Sequence, residues 1–350
     1  MRPQGRTVDR GDGGQLPLWL RKELAWESMK AIQITQTGGP EVLVATELPI
    51  PEPAPSQVLV KIEASGVNFI DVYLREGRYP AKLPYVPGQE AAGVIVGLGK
   101  DVTSVKVGDR VAWCHSPGTY AEYAVVPASL LIDLPEAISM QQAAAAMLQG
   151  MTAHYLSHST YAIQRGDTVL VHAGAGGVGL LLIQMAKRLG ARVLTTVSTE
   201  EKAALARTAG ADEAILYTRE DFAAKVRELT DGKGVPAVYD SVGKTTFDGS
   251  LACLRPRGVM ALFGGSSGAV PPFDLIQLSA KGSLYVTRPS LKDYIATRAE
   301  LELRAGDILR WVAEGSLKLR IEHSYPLAEA AQAHRDLEAR KTTGKVLLVP

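Results

Sequence analysis

The chain has 350 residues, of which 46% are hydrophobic and 21% are charged, and its formal net charge is +1. So balanced a charge gives no sign of a surface dedicated to nucleic acid or to a membrane, and no apolar run approaches the roughly 20 residues that span a bilayer. The length exceeds what one hydrophobic core usually supports, which predicts two packed units. The only two cysteines, Cys114 and Cys253, lie far apart in sequence. They argue against a disulfide scaffold and favour a reducing, cytoplasmic compartment.

Residues 1–28 differ in composition from the rest of the chain. The stretch from Met1 to Gly14 is rich in Gly, Arg and Asp, and it contains no apolar segment of the signal-peptide kind. We interpret residues 1–28 as a flexible extension that the folded protein does not need, or as the product of a start site placed too early. The first domain is expected to begin with a strand at Met29.

Residues 29–150 carry the signals of short strands separated by turns. Val58 to Ala64 alternate apolar and polar side chains as a half-buried strand does, and Ala91 to Val96 form a continuous apolar run. Proline clusters at 49–55 and 80–87 mark connections, because proline supplies no donor to a strand ladder. This part is predicted to be an irregular β-rich domain.

Residues 151–287 alternate strand and helix patterns. Strand patterns occur at 168–172, 192–197, 213–217, 237–239, 259–263 and 282–287, with helical patterns at 180–189 and 202–208. This alternation indicates βαβ units and a doubly wound parallel sheet with both faces covered. Helical stretches follow at 292–315 and 327–340. The last strand, 345–349, has no partner nearby and is expected to return to the first domain, which would comprise residues 29–150 and 288–350.

A glycine-rich turn gives the sharpest functional signal. Gly174, Gly176 and Gly179 form a G-x-G-x-x-G pattern that follows the strand at 168–172 and opens the next helix. In this context the glycines let backbone approach a pyrophosphate, and the helix N-terminus offers free N–H groups and a positive dipole end. The pattern predicts a dinucleotide-binding domain of the Rossmann type.

The end of the second strand in this domain decides which dinucleotide is bound. A carboxylate at this position favours NAD, because it bonds the ribose 2′-hydroxyl. The chain has Ser198 there, and Glu201 fits a capping box that begins at Ser198 and directs the carboxylate to the backbone. Lys202 is placed to face a 2′-phosphate, whereas Arg207 fits a solvated helix face. The sequence therefore favours NADPH.

The chain lacks the ligand spacing of a zinc site. Neither cysteine has a nearby partner, and no C-x-x-C occurs. His154 and His158 are spaced to share a metal on a helix, but a helix surface is the favoured interpretation, and His172 is expected to be a buried, hydrogen-bonded strand end. No G-x-S-x-G elbow is present, and Ser266 follows a strand at the sheet edge where ligands bind. Hydrolytic catalysis is therefore disfavoured.

Several separated motifs carry a resemblance to a known family. They occupy residues 38–43, 66–71, 87–93, 172–179, 238–243 and 282–289, and they read GGPEVL, GVNFID, PGQEAAG, HAGAGGVG, VYDSVG and GSLYVTRP. Residues 29–350 resemble the zinc-free NADPH:quinone oxidoreductases of the medium-chain dehydrogenase/reductase superfamily, which are related to zeta-crystallin. Zinc-dependent relatives carry a ligand Cys where this chain has Asn68 and a ligand His where it has Gln89. The resemblance implies a GroES-like β-rich catalytic domain, a Rossmann cofactor domain spanning residues 151–287, and a homodimer.

The resemblance also implies roles for individual residues. Asn68, Asp71 and Tyr73 would line the nicotinamide end of the cleft, with Tyr79 near the acceptor. Cofactor contacts would come from the turn residues Gly174, Gly176, Gly177, Val178 and Gly179, from Asn68, Tyr73 and Tyr155, from Ser198, Lys202 and Tyr217 at the 2′-phosphate and adenosine, from Val242, Phe263, Gly265 and Ser266 at the nicotinamide ribose, and from Arg340 and Lys345 on the phosphates. Relatives often have Asn at the Gly265 position and Lys at the Gln149 position, so contacts of those side chains are absent here.

The expected chemistry is hydride transfer to a quinone. The protein need only hold the two reactants together and exclude water. Tyr73 or Tyr79 could hydrogen-bond the acceptor oxygen, with cleft packing as the alternative role, and Asp71 is expected to orient its neighbours. Reduction of α,β-unsaturated carbonyls or enoyl thioesters is an open alternative. Binding of AU-rich RNA, or NADPH binding without catalysis, is a further one, although no basic patch with interleaved aromatic residues occurs.

Overall fold

The computed structural model describes residues 28–350. The expected extension lies outside these residues except for Ser28, which already belongs to the first strand. Strand β1 (Ser28–Gln33) pairs antiparallel with β2 (Val44–Pro49). This hairpin is joined to the main sheet of the first domain by a bridge between Ala31 and Ala121.

A seven-stranded sheet forms the centre of the first domain. Its strands are β3 (Gln57–Val67), β4 (Glu90–Leu98), β5 (Arg110–Cys114), β6 (Tyr123–Pro127), β7 (Ile132–Asp133), β14 (Ile321–Pro326) and β15 (Lys345–Val349). They lie in the order β14-β15-β3-β4-β5-β7, with β6 paired to β3. The last strand of the chain, β15, pairs antiparallel with β3, so that Val346 lies opposite Val67. The β-rich character of this domain is confirmed.

A short helix follows one strand of this sheet, and a long helix connects the sheet to the second domain. Helix α1 (Phe69–Arg75) follows β3, and helix α2 (Met140–Tyr155) continues into a π-helical turn, Leu156–Thr160. Ser139 caps α2 through a capping box with Gln142. Small alanine side chains at 143–146 are fully buried in α2, which lets neighbouring elements approach it closely. The expected domain boundary after residue 150 falls inside this helix.

The second domain is built on a six-stranded parallel sheet. Its order is β10-β9-β8-β11-β12-β13, from the strands β8 (Thr168–Val171), β9 (Arg192–Val197), β10 (Glu213–Leu216), β11 (Val235–Asp240), β12 (Leu254–Leu262) and β13 (Tyr285–Thr287). The helices between them are α3 (Gly177–Arg188), α4 (Glu200–Thr208), α5 (Phe222–Leu229), α6 (Phe247–Cys253) and α7 (Ile276–Ala280). The strand order reverses between β8 and β11, where ligands bind in such sheets. The doubly wound sheet is thus confirmed.

Three further helices follow the last strand of this sheet along the chain. They are α8 (Leu291–Tyr294), α9 (Arg298–Ala313) and α10 (Ala330–Glu338). The helical stretch expected at 292–315 is divided by Thr297, which caps α9 through a capping box with Glu300. Within residues 28–350, no helix is both long and apolar enough to cross a membrane.

Candidate active site

The glycine-rich turn joins β8 to α3 as predicted. Helix α3 begins at Gly177, and its N-cap, Gly176, has no side chain to accept the first N–H groups of the helix. A Cβ atom at Gly179 would lie 2.3 Å from the backbone oxygen of Ala173, so no other residue lets the helix pack this closely. The turn therefore presents free N–H groups at the carboxyl end of the sheet, which is an arrangement that binds phosphate.

The residues expected at the 2′-phosphate lie together beyond the end of β9. The ammonium of Lys202 donates to the backbone oxygen of Arg340 at 2.6 Å, and the Arg340 guanidinium donates to the Tyr217 hydroxyl at 3.2 Å. Ser198 lies beside them, and its backbone oxygen accepts from Thr218 at 3.1 Å. No carboxylate of residues 28–350 lies within 4.0 Å of the Lys202 or Arg340 cations. The two cations are therefore available to an anion.

The capping box predicted from Ser198 to Glu201 is wrong by one position. Thr199 is the N-cap of α4, and its hydroxyl accepts from the Lys202 N–H at 3.3 Å. Ser198 therefore stays in the turn that precedes the helix. Glu200 pairs with Arg219 at 3.0 Å, so this carboxylate is held away from Lys202.

The segment from Arg340 to Lys345, here called the crossing segment, runs from this cluster over the glycine-rich turn. The Gly344 N–H donates to the Ala175 oxygen at 3.0 Å, and Gly344 forms a parallel bridge with Gly176. Lys345 then turns inward, with 2% of its surface exposed. Its ammonium bonds the Glu90 carboxylate and, at 3.0 Å, the Asn68 side-chain oxygen. The expectation that Lys345 closes on the phosphates is therefore not met, because the buried Glu90 carboxylate binds its charge.

The side-chain amide of Asn68 is fully engaged by protein groups. Its nitrogen donates to Glu90 at 2.7 Å, and its oxygen accepts from Gln149 at 3.2 Å in addition to Lys345. The second Glu90 oxygen accepts from the Leu148 N–H at 2.6 Å. Glu90 and Gln149 were not among the predicted site residues, although Glu90 lies in the motif at 87–93. Gln149 also touches the turn, since a Cβ at Gly177 would lie 2.0 Å from its side-chain oxygen.

A second buried network surrounds Asp71. One carboxylate oxygen accepts from the Asn68 N–H at 2.9 Å and from the Tyr120 hydroxyl at 3.0 Å. Burial raises the pKa of Asp71 to about 7. His334 contacts the Tyr120 hydroxyl at 3.1 Å through Nε2 and Arg75 at 3.1 Å through Nδ1. Because a guanidinium only donates, Nδ1 accepts, and Nε2 carries the hydrogen toward Tyr120. The chain of donors ends at Asp71, which orients the start of α1.

The predicted acceptor residues face the loop after β12. The Tyr73 hydroxyl accepts from the Gly265 N–H at 2.9 Å. Gly265 has no side chain, so its contribution here is the backbone N–H. The rings of Tyr73 and Tyr79 meet edge to face, with centroids 5.6 Å apart. Arg288, which was not among the predicted site residues, donates to the Tyr79 hydroxyl at 3.2 Å. This arrangement gathers hydroxyl and guanidinium donors at one end of the cleft.

The loops after β11 and β12 hold the residues expected at the nicotinamide ribose. The buried Asp240 carboxylate accepts from the Val242 N–H at 2.7 Å, and its backbone oxygen accepts from the Phe263 N–H at 2.9 Å. The Ser266 N–H donates to the Ser241 oxygen at 3.1 Å. Asp240 is thus a loop-organising residue that was missed, although the motif at 238–243 contains it. Tyr155, at the end of α2, stacks on Tyr294 with centroids 4.2 Å apart.

The placement of His154 and His158 on a helix surface is wrong for His154, which is buried. Their rings stack 4.3 Å apart, and His154 bonds Asp307 at 3.1 Å. Burial lowers the pKa of His154 to about 4. His172 is buried and bonds Thr196 at 2.8 Å and Ser250 at 3.0 Å, as predicted. In the described part of the chain no group of three or more His, Cys, Asp or Glu side chains is arranged to hold a metal.

Comparison with known proteins places both domains. Residues 54–136 match the family model described as the alcohol dehydrogenase GroES-like domain, and residues 177–300 match the one described as zinc-binding dehydrogenase. The quinone oxidoreductase of Pseudomonas aeruginosa is 48% identical over 323 residues, covering 92% of this chain and 99% of that protein. The 2-haloacrylate reductase of a Burkholderia species is 43% identical over 328 residues, covering 91% of this chain and 98% of that protein.

A solved structure gives the same result. The quinone oxidoreductase of Escherichia coli, complexed with NADPH, superposes with a TM-score of 0.90 at 45% identity, covering 92% of this chain and 100% of that one. The predicted GroES-like and Rossmann folds are confirmed. At both zinc-ligand positions this chain has a neutral amide, Asn68 and Gln89. The chain therefore belongs to the zinc-free quinone oxidoreductases of the medium-chain dehydrogenase/reductase superfamily and is an oxidoreductase.

Proposed function

We propose that this protein transfers a hydride from NADPH to a quinone without a metal. The observation that carries the cofactor choice is the pair of cations Lys202 and Arg340 beside Tyr217 and Ser198, which have no carboxylate within 4.0 Å among the described residues. The Escherichia coli relative in complex with NADPH supports the same cofactor. When bound, NADPH supplies the two electrons and the hydrogen that the acceptor receives.

The residues present fit a dinucleotide phosphate. The uncapped start of α3 offers N–H groups to the pyrophosphate. A planar guanidinium at Arg340 and the ammonium of Lys202 suit the doubly charged 2′-phosphate. Lys202 is held close to Arg340. Burial lowers the pKa of Lys202, and the positive charge of Arg340 lowers it further. An anion placed between the two cations would relieve that repulsion.

The acceptor end suits a small conjugated carbonyl compound. Tyr73, Tyr79 and Arg288 supply donors there, and a quinone needs only to be positioned and shielded from water for hydride transfer. The relatives named quinone oxidoreductase support a quinone. The buried free thiols of Cys114 and Cys253 fit a reducing compartment, so we propose a cytoplasmic location; the homodimer remains a prediction.

Reduction of an α,β-unsaturated carbonyl is the second candidate. The 2-haloacrylate reductase relative, at 43% identity, favours it, since its named substrate has a carbon–carbon double bond conjugated to a carboxyl group. A screen of NADPH oxidation against quinones, enones, 2-haloacrylates and enoyl thioesters separates the two. We expect the highest kcat/KM for quinones. A higher value for an enone or haloacrylate would replace the proposal with the second candidate, and no oxidation with any acceptor would refute both.

The cofactor assignment is tested by Lys202→Ala. Loss of one charge-assisted hydrogen bond to the 2′-phosphate costs about 1.5–3 kcal/mol, so the KM for NADPH should rise at least about tenfold. The KM for NADH should stay within about twofold. Arg207→Ala on the same helix is the matched control, because Arg207 is exposed. Equal effects of Lys202→Ala on both cofactors would contradict the assigned role.

A further inference from the structure

Arg288 lies at the carboxyl end of β13, where it bridges the cofactor loop and the acceptor end. One guanidinium nitrogen donates to the backbone oxygens of Leu262 at 2.7 Å and Gly264 at 3.2 Å. The other donates to the Tyr79 hydroxyl at 3.2 Å. Backbone oxygens therefore fix the guanidinium in place, and its second terminal nitrogen is directed at Tyr79.

This contact determines which way the Tyr79 hydroxyl is turned. A guanidinium has five donors and no acceptor, so the Tyr79 oxygen must accept. Its own hydrogen then points away from Arg288 and is free to bond a ligand. Tyr79 is 38% exposed, so a ligand in the cleft can reach it.

Neither of the two neighbouring groups duplicates this contact. The Tyr73 hydroxyl accepts from an uncharged donor, the Gly265 N–H at 2.9 Å, and the residue is only 7% exposed. Arg78 pairs with Glu76 at 2.7 Å, which neutralises its charge. Arg288 has no carboxylate within 4.0 Å among the residues that the structure describes. The positive charge behind Tyr79 is thus uncompensated.

We propose that Tyr79 is the catalytic proton donor to the acceptor oxygen and that Arg288 is its positioning residue. This inference rests on the proposed function. The hydride adds two electrons and one hydrogen to the conjugated system, and the acceptor oxygen takes up the negative charge. The Tyr79 O–H bond breaks, its proton forms the new O–H bond on the acceptor, and Arg288 stabilises the resulting tyrosinate until solvent water reprotonates it. The substrate class is therefore a conjugated carbonyl compound reduced by two electrons.

Four variants test the pair: Tyr79→Phe, Arg288→Met, Arg288→Lys and the double variant Tyr79→Phe/Arg288→Met. Arg255→Met is the control, because Arg255 is exposed at the amino end of β12, on the opposite edge of the sheet. Three quantities are measured for each protein. They are kcat with a quinone between pH 6 and 10, the Kd of NADPH by fluorescence, and the binding of para-nitrophenolate to the NADP⁺ complex by its absorbance.

We expect each of the single changes to Phe and Met to lower kcat by about a hundredfold, which is the size of losing one oxyanion donor, while the Kd of NADPH stays within about twofold. The double variant should be no slower than the slower single variant, because Arg288 acts through Tyr79. Arg288→Lys should recover part of the loss. Para-nitrophenolate should bind at least about tenfold more weakly to Arg288→Met than to the wild-type protein, corresponding to one charge-assisted hydrogen bond.

Two outcomes would overturn the inference. They are a kcat of Arg288→Met within about twofold of wild type, and a double variant whose loss is the product of the single losses. If the wild-type protein reduces no carbonyl acceptor, the proposed function fails. The para-nitrophenolate titration then still decides on the pair, because unchanged binding to Arg288→Met refutes it without any turnover.

Discussion

At the scale of single residues, Asp71 shows how burial sets a charge. Its side chain is fully buried, one carboxylate oxygen accepts two hydrogen bonds, and the other has no partner among residues 28–350. Desolvation outweighs those two bonds and raises the pKa to about 7. An unfolded Asp ionises near pH 4. The folded protein therefore holds this proton more tightly than the unfolded chain does.

The expected consequence is a stability that falls as the pH rises through the interval from about 4 to about 7. Between pH 5 and 8 the ionisation of Asp71 should cost about 3 kcal/mol of unfolding free energy. Asp71→Asn removes this titration. Urea unfolding of both proteins at pH 5 and pH 8 measures the difference. If the two proteins lose equal stability over this range, the raised pKa is wrong.

Lys345 and Glu90 show the opposite case, a buried pair in which each charge compensates the other. Removing one partner of a buried pair costs about 3–5 kcal/mol, whereas replacing both with neutral groups costs far less. Lys345→Met should therefore lower the unfolding free energy by that amount, and Lys345→Met/Glu90→Gln should recover most of it. Urea unfolding is the measurement, with Lys225→Met on the exposed Lys225–Glu228 pair as the control that should change nothing. A double variant no more stable than Lys345→Met would contradict the pairing.

At the scale of elements, the close packing of α3 on the turn depends on one glycine. A Cβ at Gly179 would meet a backbone oxygen at 2.3 Å, whereas a Cβ at Gly306, inside α9, would meet nothing within 4 Å. Gly179→Ala should displace the start of α3 and weaken NADPH binding at least about tenfold, equivalent to about 1.4 kcal/mol. Gly306→Ala should instead stabilise the protein by up to about 1 kcal/mol through helix propensity. Fluorescence titration and thermal unfolding measure the two effects, and similar behaviour of the two variants would refute the packing argument.

The elements that the sequence predicted correctly have local causes. The glycine turn and the parallel strands follow from patterns within short stretches. The position of the α4 cap was missed by one residue, because Ser198 and Thr199 are both good caps and only the backbone conformation decides between them. The partner of Lys345 was missed for a different reason. Glu90 is 255 positions away in sequence, and their contact exists only because β15 pairs with β3 and β3 with β4.

At the scale of the whole molecule, the residues at the two positions where zinc-dependent relatives carry their zinc ligands predict an enzyme that works without a metal. Asn68 and Gln89 offer neutral amides, and burial raises the pKa of the Cys114 thiol, so no thiolate is available there. Asn68 is also occupied by Glu90, Lys345 and Gln149. Exhaustive dialysis against a chelator should leave NADPH oxidation unchanged. The rate of oxidation and the total zinc content of the sample are both measured before and after dialysis. Activity that disappears and returns with added zinc would overturn this expectation.

The crossing segment has a mechanical consequence. The chain passes between the two domains in α2, and the crossing segment brings the first domain into contact with the glycine-rich turn of the second. Because α2 packs against β15, these two places are neighbours. Here the domains are joined by backbone bonds, between Gly344 and Ala175 at 3.0 Å, whereas Tyr73 reaches Gly265 through one side chain at 2.9 Å. We therefore expect a rotation of one domain against the other to have its hinge axis beside the crossing segment. The two domains should then separate farthest at Tyr73 and Tyr79, so that the acceptor can exchange while the adenosine end stays held.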